Sequence, residues 1–261
     1  GTATGRMSSS KPNMQNIPSS RSTEGDVIRK SFIAAPGYKL VVADYSQVEL
    51  RITAHLSKDA TMTQIYNEDG DIHQMTADAC DCERFDAKAI NFGLIYKMGA
   101  KTLANKINKS PREAQSYIDR YFARYVGVSY WQSALIAAVR NKGYTWTVIG
   151  RRRYLPNINS SDMALRKEAE RVAINTQVQG SASDIMKIAM RNFRRSVYEQ
   201  GLCSDDVRII GQVHDEVIVE AKEEYADQMS QLLKDSMEGA AELRVPLIAE
   251  PQIANSWGEA K

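Results

Sequence analysis

Two acidic positions in the sequence have the residue types that metal-assisted chemistry requires. Asp215 and Glu216 stand between two short apolar runs, which predict neighbouring strands joined in a hairpin over residues 207–219. Asp44 ends another predicted strand far earlier in the chain. If those strands are neighbours, carboxylates from distant parts of the chain can hold two divalent metal ions about 3.5–4 Å apart for phosphoryl transfer.

Each acidic position also has an ordinary structural explanation. An Asp at a turn commonly hydrogen-bonds its own backbone, so Asp215 and Glu216 could serve only to shape the hairpin. Asp44 could be the N-cap of the helix predicted to follow it over residues 47–57. The residues alone leave the metal site and these structural roles open.

The segment RFDAKAINFGLIY carries cations and aromatic rings at helical spacing. Arg84, Lys88, Phe92 and Tyr96 recur every four residues, so a helix over 84–97 would place them along one face, with a drift of about 40° per step. A triphosphate would meet the two cations near the positively polarised helix N-terminus, and a sugar and base would meet the rings. The alternative is an amphipathic helix with core aromatic residues and solvated cations.

Composition places the chain among ordinary globular proteins. It has 261 residues, 43% of them hydrophobic, and a net charge of +2 that indicates no class of partner. No apolar run approaches the roughly 18–20 residues of a membrane span, and the opening residues do not form a signal peptide, so we expect no membrane partner. Three cysteines without a CxxC pair argue against a zinc site and favour a reduced, cytoplasmic setting, with an organelle as the alternative.

The order of the predicted elements indicates an α+β fold. Residues 1–30 read as loop, and a strand at 38–46 precedes the helix at 47–57. The rest is predicted as helices over 59–141 with breaks near Gly70, Gly99, Pro111 and Gly127, a β-like stretch at 144–156, a long helix at 162–200 with a break near Gly180, the hairpin, a helix at 222–239 and a strand near 246–255. This order predicts a few antiparallel strands with a large helical insertion between the first strand and the others.

Three of the segments, in this order, resemble the polymerase domain of family A DNA polymerases, the bacterial DNA polymerase I type. VADYSQVELRI is similar to motif A of that family, RFDAKAINFGLIY to motif B and QVHDEVIV to motif C, and residues 4–18 and 170–187 are similar to further family segments. The resemblance implies the right-hand polymerase architecture, an antiparallel palm sheet with a helical fingers insertion and with the thumb absent. Residues 1–58 would be the first part of the palm, 59–145 the fingers, and 146–261 the remainder of both.

The resemblance also implies an activity and a site. The chain would add dNTPs to a primer 3′-hydroxyl in replication or repair, with two Mg²⁺ ions and release of pyrophosphate. Asp44, Asp215 and the backbone carbonyl of Tyr45 would bind the metals, Glu216 would lie near them without being the main ligand, and Lys88 would protonate the leaving group. The nucleotide-binding residues would be Arg84, Lys88, Phe92, Tyr96, Gln47, Glu49 and His73, and the DNA-binding residues Arg6, Asn13, Gln15, Asn16, Arg171, Asn175, Gln179 and His214.

Particular side chains sharpen or qualify that resemblance. Glu49 would be a steric gate against a 2′-hydroxyl, and Phe92 predicts discrimination against dideoxynucleotides. Phe85 stands where the family often has a second Arg, and Lys97 where it usually has Gly. Family polymerases carry a thumb and early palm strands upstream, so the chain is expected to be a fragment or one half of a split enzyme. Its partners would then be primer-template DNA, dNTPs and the N-terminal polymerase segment.

Three other functions compete with an active polymerase. One is a catalytically incomplete nucleic-acid-binding fragment that needs the thumb and the upstream palm. Another is a non-catalytic binding protein with the same fold, which would have no use for Asp44 and Asp215 gathered around a metal. The third is a two-metal nuclease, which would not need a triphosphate held along Arg84 and Lys88.

Overall fold

The computed structural model describes residues 2–19 and 22–260, which divide into two compact units. The sheet unit comprises Gly1–Val48, Ala182–Glu242 and Leu247–Lys261, and the helical unit comprises Glu49–Ser181 and Leu243–Pro246. Antiparallel strands dominate the core of the first unit and helices that of the second, so the predicted α+β class is confirmed. Within the described residues no helix is long and apolar enough to cross a membrane.

The elements have the following bounds. The helices are α1 Thr23–Lys30, α2 Val48–Ser57, α3 Ala60–Asn67, α4 Ile72–Cys80, α5 Arg84–Leu94, α6 Ala100–Ile107, α7 Pro111–Arg124, α8 Val126–Lys142, α9 Met163–Asn175, α10 Ser181–Glu199 and α11 Ala226–Glu238. The strands are β1 Tyr38–Tyr45, β2 Tyr144–Trp146, β3 Arg152–Tyr154, β4 Val207–Val213, β5 Glu216–Lys222 and β6 Ala249–Ala254. Short 3₁₀ turns lie at Met14–Asn16 and Glu223–Tyr225.

The sheet unit is built on four antiparallel strands in the order β4-β5-β1-β6. Residues 40–43 of the central strand β1 are all buried, because one face carries the cluster of Leu40, Val42, Ile218 and Trp257 while α11 packs against the strand. A strand covered on both faces reads as a continuous apolar run instead of an alternating one. The pairing of β1 with β5 confirms the condition on which the predicted carboxylate pair depended.

The β4–β5 hairpin turns through two residues, His214 and Asp215. His214 has a φ of 54°, the left-handed conformation that tight two-residue hairpin turns require. The predicted hairpin is confirmed, but the acidic pair does not sit together at its tip. Asp215 lies in the turn, whereas Glu216 is the first residue of β5 and pairs with Val213.

The first thirty residues are not all loop, as their composition had predicted. Ser22 caps α1 by accepting a hydrogen bond from the Gly25 backbone N–H at 3.1 Å, and Glu24 lies in the first turn of the helix. Arg29 and Lys30 lie in its last turn, where cations interact favourably with the helix dipole. These start and stop signals were present in the sequence, but a Ser-rich context masked them.

The helical unit encloses a large apolar core from α2 to α9. The predicted breaks near Gly70, Gly99 and Pro111 are confirmed, since Gly99 precedes α6 and Pro111 begins α7. The break expected near Gly127 occurs two residues earlier, at Tyr125. A further break lies between α4 and α5, just before the start of the helix predicted over 84–97; there Asp81 takes a left-handed φ of 56° and ends α4 without a glycine.

Two further predicted elements are present, and the structure differs from the prediction in one detail of each. The stretch at 144–156 is the two-stranded antiparallel ribbon of β2 and β3, and the basic run contributes Arg152 and Arg153 to the second strand. The long helix near 162–200 is interrupted by a π-helical turn at Thr176–Gly180, which ends at the predicted break. Such single π-helical turns are frequent at functional sites.

Candidate functional site

The sheet unit brings the two predicted metal ligands to one end of its strands. Asp44 is the penultimate residue of β1, where it pairs with Glu216 on β5 and Glu250 on β6. The next residue, Tyr45, donates its backbone N–H to the carbonyl of Asp215 at 3.1 Å, which ties the strand end to the hairpin turn. Asp44 is therefore a strand residue, and the N-cap alternative is wrong because α2 begins only at Val48.

The charges around these carboxylates leave negative charge in excess. Burial of the carboxyl group among packed protein atoms, with the charges of Glu216 and Glu250, raises the pKa of Asp44 to about 6, although the residue keeps access to solvent. Burial also raises the pKa of Asp215. The guanidinium of Arg6, 3.8 Å away, opposes this rise, and the charge of Asp44 adds to it. A cation placed between like charges favours their ionised form.

The chemistry of these donors fits Mg²⁺. Among residues 2–19 and 22–260 no group of three or more His, Cys, Asp and Glu side chains is placed to hold a metal ion. Mg²⁺ does not need such a cage, because it binds hard oxygen ligands and usually takes one or two protein carboxylates together with waters and substrate phosphates. Asp44 and Asp215 supply that number of carboxylates.

Glu216 is held by two residues that the sequence did not indicate. The indole Nε1–H of Trp257 donates to Oε1 of Glu216 at 2.6 Å, and an Arg29 guanidinium nitrogen lies 3.6 Å from the same oxygen. The Arg29 guanidinium also stacks on the Trp257 ring at 4.1 Å from its centroid. Burial still raises the pKa of Glu216, against the hydrogen bond from Trp257. Both contacts engage Oε1 of Glu216, and its place near the metals without being the main ligand stays a prediction.

Several predicted DNA-binding residues lie beside the hairpin turn. Gln15 donates from Nε2 to the Gln212 carbonyl at 2.6 Å and accepts from the His214 backbone N–H at 3.1 Å. Arg6 joins Gln15 and His214 around a small cavity that also reaches Lys187, a residue that was not predicted and that donates to the Gly5 carbonyl. His214 thus makes a hydrogen bond at the strand end through its backbone.

Three other predicted residues of the sheet unit lie in a turn or a connection. Asn13 is exposed and caps the 3₁₀ turn at Met14–Asn16 by accepting from the Gln15 backbone N–H at 3.1 Å. Asn16 is exposed in the same turn. Gln47 lies in the connection between β1 and α2 with a left-handed φ of 53°.

In the helical unit, α5 presents the predicted cations to solvent. Arg84 and Lys88 are exposed on its first turns, and the Arg84 Nε–H donates to Oδ2 of Asp71 at 2.8 Å. Burial raises the pKa of Asp71, but hydrogen bonds from Arg84 and two backbone N–H groups outweigh it and leave that pKa below its usual value. Phe85, at the position where a second Arg was expected, is 81% exposed.

The predicted helix over 84–97 ends earlier than its periodicity indicates. α5 stops at Leu94, and Lys97 takes a left-handed φ of 58° while the Met98 backbone N–H closes the helix end on the Gly93 carbonyl at 3.0 Å. Such a closure normally uses Gly, so Lys97 adopts the conformation of the residue it replaces. Only Arg84, Lys88 and Phe92 therefore share the helix face, and Tyr96 lies beyond the helix end.

The remaining predicted nucleotide residues of the helical unit contact one another in pairs, Tyr96 with Glu49 and Phe92 with His73. Its hydroxyl donates to Oε2 of Glu49 at 2.5 Å, which fixes the carboxylate proposed as a steric gate. Phe92, half-buried on α5, lies 5.9 Å from the ring of His73, and His73 is itself buried. Helical periodicity could not reveal the pairing of Tyr96 with Glu49, because Glu49 lies at the start of α2 and Tyr96 lies just beyond the end of α5.

A groove in the helical unit gathers the predicted template residues. Tyr96, Arg171, Asn175 and Gln179 line a space of about 410 Å³. Asn175 Oδ1 is buried and has no hydrogen-bond partner in the part of the chain that the structure describes. A buried amide oxygen without a partner is costly, so a donor from a ligand would be favourable there.

The chain is similar to known proteins of one family. The sequence profile of DNA polymerase family A matches residues 1–259. The chain is 48% identical to DNA polymerase I of Pseudomonas aeruginosa, with 99% of the chain and 29% of that protein aligned, and 43% identical to thermostable DNA polymerase I of Thermus aquaticus, with 100% and 32% aligned. A solved structure of the POL domain of Pol1 from M. smegmatis, in complex with DNA primer-template and dNTP, superposes with a TM-score of 0.93 at 40% identity, over 99% of this chain and 47% of that one. The chain thus spans about a third of the length of these curated relatives.

Proposed function

Because the chain belongs to DNA polymerase family A, we propose that it is the catalytic module of a template-directed DNA polymerase. The reaction would add a dNTP to a primer 3′-hydroxyl by nucleotidyl transfer and release pyrophosphate. The observation that carries this proposal is the pairing of β1 with the β4–β5 hairpin, which gathers Asp44 and Asp215 at one end of the sheet.

Asp44 and Asp215 are the residues that would hold two Mg²⁺ ions, with the Tyr45 carbonyl as a further ligand. When bound, Mg²⁺ would supply Lewis-acid activation of the primer hydroxyl and would neutralise charge on the triphosphate. The sheet contributes rigidity, since the backbone bond from Tyr45 to Asp215 limits relative movement of the two carboxylates. The Tyr45 hydroxyl, which donates to the Met237 carbonyl at 2.6 Å, anchors the same strand end.

The helical unit would bind the incoming nucleotide through α5. Arg84 and Lys88 are exposed cations one turn apart near the helix N-terminus, an arrangement suited to phosphate oxygens. Asp71 pairs with Arg84 at 2.8 Å, so a phosphate would replace or share that carboxylate. Lys88 would donate a proton to the leaving pyrophosphate, and Phe92 would lie against the sugar and base.

Glu49 would select the sugar. Its carboxylate, fixed by the Tyr96 hydroxyl, would occupy the space that a ribonucleotide 2′-hydroxyl requires. His73 and Gln47 would complete the nucleotide contacts.

The DNA contacts would not read sequence. Arg6, Gln15 and His214 around the hairpin, with Asn13 and Asn16, offer donors and acceptors for primer phosphates, sugars and minor-groove atoms. Arg171, Asn175 and Gln179 in the groove of the helical unit offer the same to the template. Contacts of this kind test the shape of a base pair, as a polymerase must do for any template.

The share of the relatives that the chain covers supports a second candidate. With 29% to 32% of those proteins aligned, the chain could be a nucleic-acid-binding fragment that reaches full activity only with an N-terminal polymerase segment. Primer-template DNA and dNTPs would be its partners in either case.

Primer extension separates these possibilities. The 261-residue chain is mixed with labelled primer-template, dNTPs and Mg²⁺, beside an Asp215→Ala variant and a Glu223→Ala control, whose exposed carboxylate pairs with Lys39 in the same unit. Extension by wild type and control but not by Asp215→Ala supports the active module. Duplex binding without extension favours the incomplete fragment, and extension restored by the N-terminal segment of a relative would establish it. Extension that survives in Asp215→Ala would reject the metal-ligand role.

A further inference from the structure

A chain of buried hydrogen bonds leads through the helical unit to His73. The Tyr125 hydroxyl lies 2.9 Å from Thr76 Oγ1, which lies 3.1 Å from Asn91 Oδ1. Asn91 Nδ2 in turn lies 3.1 Å from His73 Nδ1. Thr76, Asn91 and Tyr125 are fully buried and His73 is 4% exposed, so water does not compete for these bonds.

With the Asn91 amide oriented as in the structure, the chemistry of each group fixes the direction of these hydrogen bonds. An amide nitrogen only donates and an amide oxygen only accepts, so the contact with Asn91 Nδ2 makes His73 Nδ1 an acceptor. Asn91 Oδ1 takes the proton of the Thr76 hydroxyl, and Thr76 Oγ1 is then the acceptor for Tyr125. Each hydroxyl proton is used once, and a neutral His73 must carry its proton on Nε2.

One competing arrangement uses the same atoms in the opposite sense. Thr76 Oγ1 also lies 2.8 Å from the Ile72 carbonyl, to which it could donate. Asn91 would then turn its Nδ2 to Thr76 and its Oδ1 to His73, and His73 Nδ1 would carry the proton. The two arrangements therefore predict opposite tautomers of His73, and the structure has the first of them.

The surroundings of His73 restrict its orientation and its charge. Phe92 lies 5.9 Å away at an interplanar angle of 42°, which limits rotation of the imidazole. Burial lowers the pKa of His73; Asp71 opposes this shift, while Lys88 and Arg84 reinforce it. A neutral ring held in one plane can present a single donor in a fixed direction.

We propose that Asn91 is a positioning residue that holds His73 as the neutral tautomer protonated on Nε2, so that His73 donates a hydrogen bond to a phosphate oxygen of the bound nucleotide. The proposal has two halves, the tautomer of His73 and its hydrogen bond to a phosphate oxygen. The phosphate half rests on the proposed function, because Arg84 and Lys88 are assigned to the same triphosphate. The tautomer half rests only on the buried hydrogen bonds. Asn91 itself need not touch the nucleotide.

Long-range ¹H–¹⁵N spectra of the ¹⁵N-labelled chain test the tautomer directly. The sequence has three histidines, so a His73→Gln variant assigns the signals of His73. We expect wild type to show an unprotonated Nδ1 and a protonated Nε2 at neutral pH. A protonated Nδ1, in either the neutral ring or the imidazolium, would overturn the proposal.

The Asn91→Asp variant gives a readout that a merely structural role would not change. A carboxylate only accepts, so it requires a proton on His73 Nδ1 and should convert the ring to the opposite tautomer or to imidazolium. The matched control is Asn159→Asp, the same substitution at an exposed site in the helical unit, where Asn159 donates to the Arg140 carbonyl. It should leave the His73 signals unchanged. Unchanged signals in Asn91→Asp would contradict the proposed coupling.

Nucleotide binding then tests the phosphate half by a double-mutant cycle. Titration of the chain with dGTP and Mg²⁺ should give a dissociation constant about three- to tenfold higher for Asn91→Ala than for wild type, the usual effect of weakening one hydrogen bond. In a His73→Ala background the same substitution should have no effect, because Asn91 acts through His73. An equal loss in both backgrounds would reject the positioning role. Failure of wild type to bind dGTP would reject the proposed function and the phosphate half, while the spectra would still decide the tautomer.

Discussion

The carboxylates of the sheet unit and the cations of the helical unit are held in contrasting ways. Asp44 and Asp215 are fixed by backbone: one is paired on both sides in a central strand, and the other sits in a two-residue turn bonded to that strand. Arg84 and Lys88 are exposed side chains on a helix surface, and Arg84 is held by the single partner Asp71 that the structure shows for it. The carboxylates of the sheet unit therefore have fixed positions but an excess of negative charge. The cations of the helical unit have positive charge but no backbone pairing that fixes their side chains.

This difference fits the tasks proposed for the two units. Metal ions that align a nucleophile need ligands placed to within fractions of an ångström, which strand pairing can provide. A triphosphate that must enter and leave is better met by long side chains that can follow it. Tolerance to substitution should therefore differ between the units.

The largest expected effect comes from conservative changes at the two kinds of site. Asp44→Glu keeps the charge but moves the carboxylate by one methylene, and we expect primer extension to fall on the order of 10²- to 10³-fold. Arg84→Lys also keeps the charge and should cost only about tenfold, because Lys can still meet a phosphate as a point charge. Steady-state extension rates give both values. Equal losses in the two variants would contradict the contrast between the units.

An intermediate effect is expected at Glu49, a carboxylate of the helical unit that the Tyr96 hydroxyl holds. Removing the gate in Glu49→Ala should raise the ratio of ribonucleotide to deoxynucleotide incorporation roughly 10- to 100-fold. Tyr96→Phe, which removes one hydrogen-bond donor to Glu49, should raise the same ratio by only a few fold. Single-nucleotide incorporation measures both, and an unchanged ratio in Glu49→Ala would remove the gate role.

A smaller effect, on stability, follows from the uncompensated charge of the sheet unit. The pKa of Asp44 is raised to about 6 from 3.8, so its stabilising contribution in the metal-free protein is complete below about pH 4 and is lost as the pH rises through about 6. Asp44→Asn should raise the free energy of unfolding at neutral pH by roughly 1 kcal/mol, after allowance for solvent screening. Denaturation of the chelated protein across this pH range measures it.

Magnesium provides the control for that stability prediction. Mg²⁺ should stabilise wild type, and more strongly above pH 6 than below, because a protonated Asp44 competes with the ion. It should stabilise Asp44→Asn much less. A Mg²⁺ effect of the same size in both proteins would show that the ion binds elsewhere.

The smallest effect concerns the end of α5. Lys97 has a left-handed φ, so Lys97→Gly should relieve strain and stabilise the chain by roughly 0.5 kcal/mol. The gain is limited because the substitution removes the 3.1 Å ion pair with Glu170. Thermal unfolding measures the difference, and Lys97→Ala, which loses the ion pair but keeps the strain, is the matched variant. A loss of stability in Lys97→Gly would mean that the ion pair outweighs the strain.

The sequence predicted a site well where the residues that define it lie close together in one segment. The shared face of Arg84, Lys88 and Phe92 depends on helical periodicity within one segment, and it was predicted. The helix end was misplaced, since Lys97 gives no glycine signal for a left-handed residue. The neighbouring position of Asp44 and Asp215 could only be stated as a condition, because strand pairing joins residues far apart in sequence.

The contacts of Glu216 mark the limit of prediction from local pattern. Trp257 is 41 residues from Glu216, and Arg29 lies in α1, which composition had classed as loop. Neither residue belongs to a motif whose spacing points to the hairpin. Tertiary packing alone brings them together, so no periodicity or turn rule could have named them.

The hydrogen bond between Trp257 and Glu216 gives the sheet unit an optical probe of its own. The sequence has three tryptophans, and Trp131 and Trp146 both belong to the helical unit. In a chain where those two are replaced by Phe, all indole emission would come from a ring bonded to the residue that follows Asp215. Titrating such a chain with magnesium would turn events at the hairpin into a change of fluorescence, without any label and without DNA.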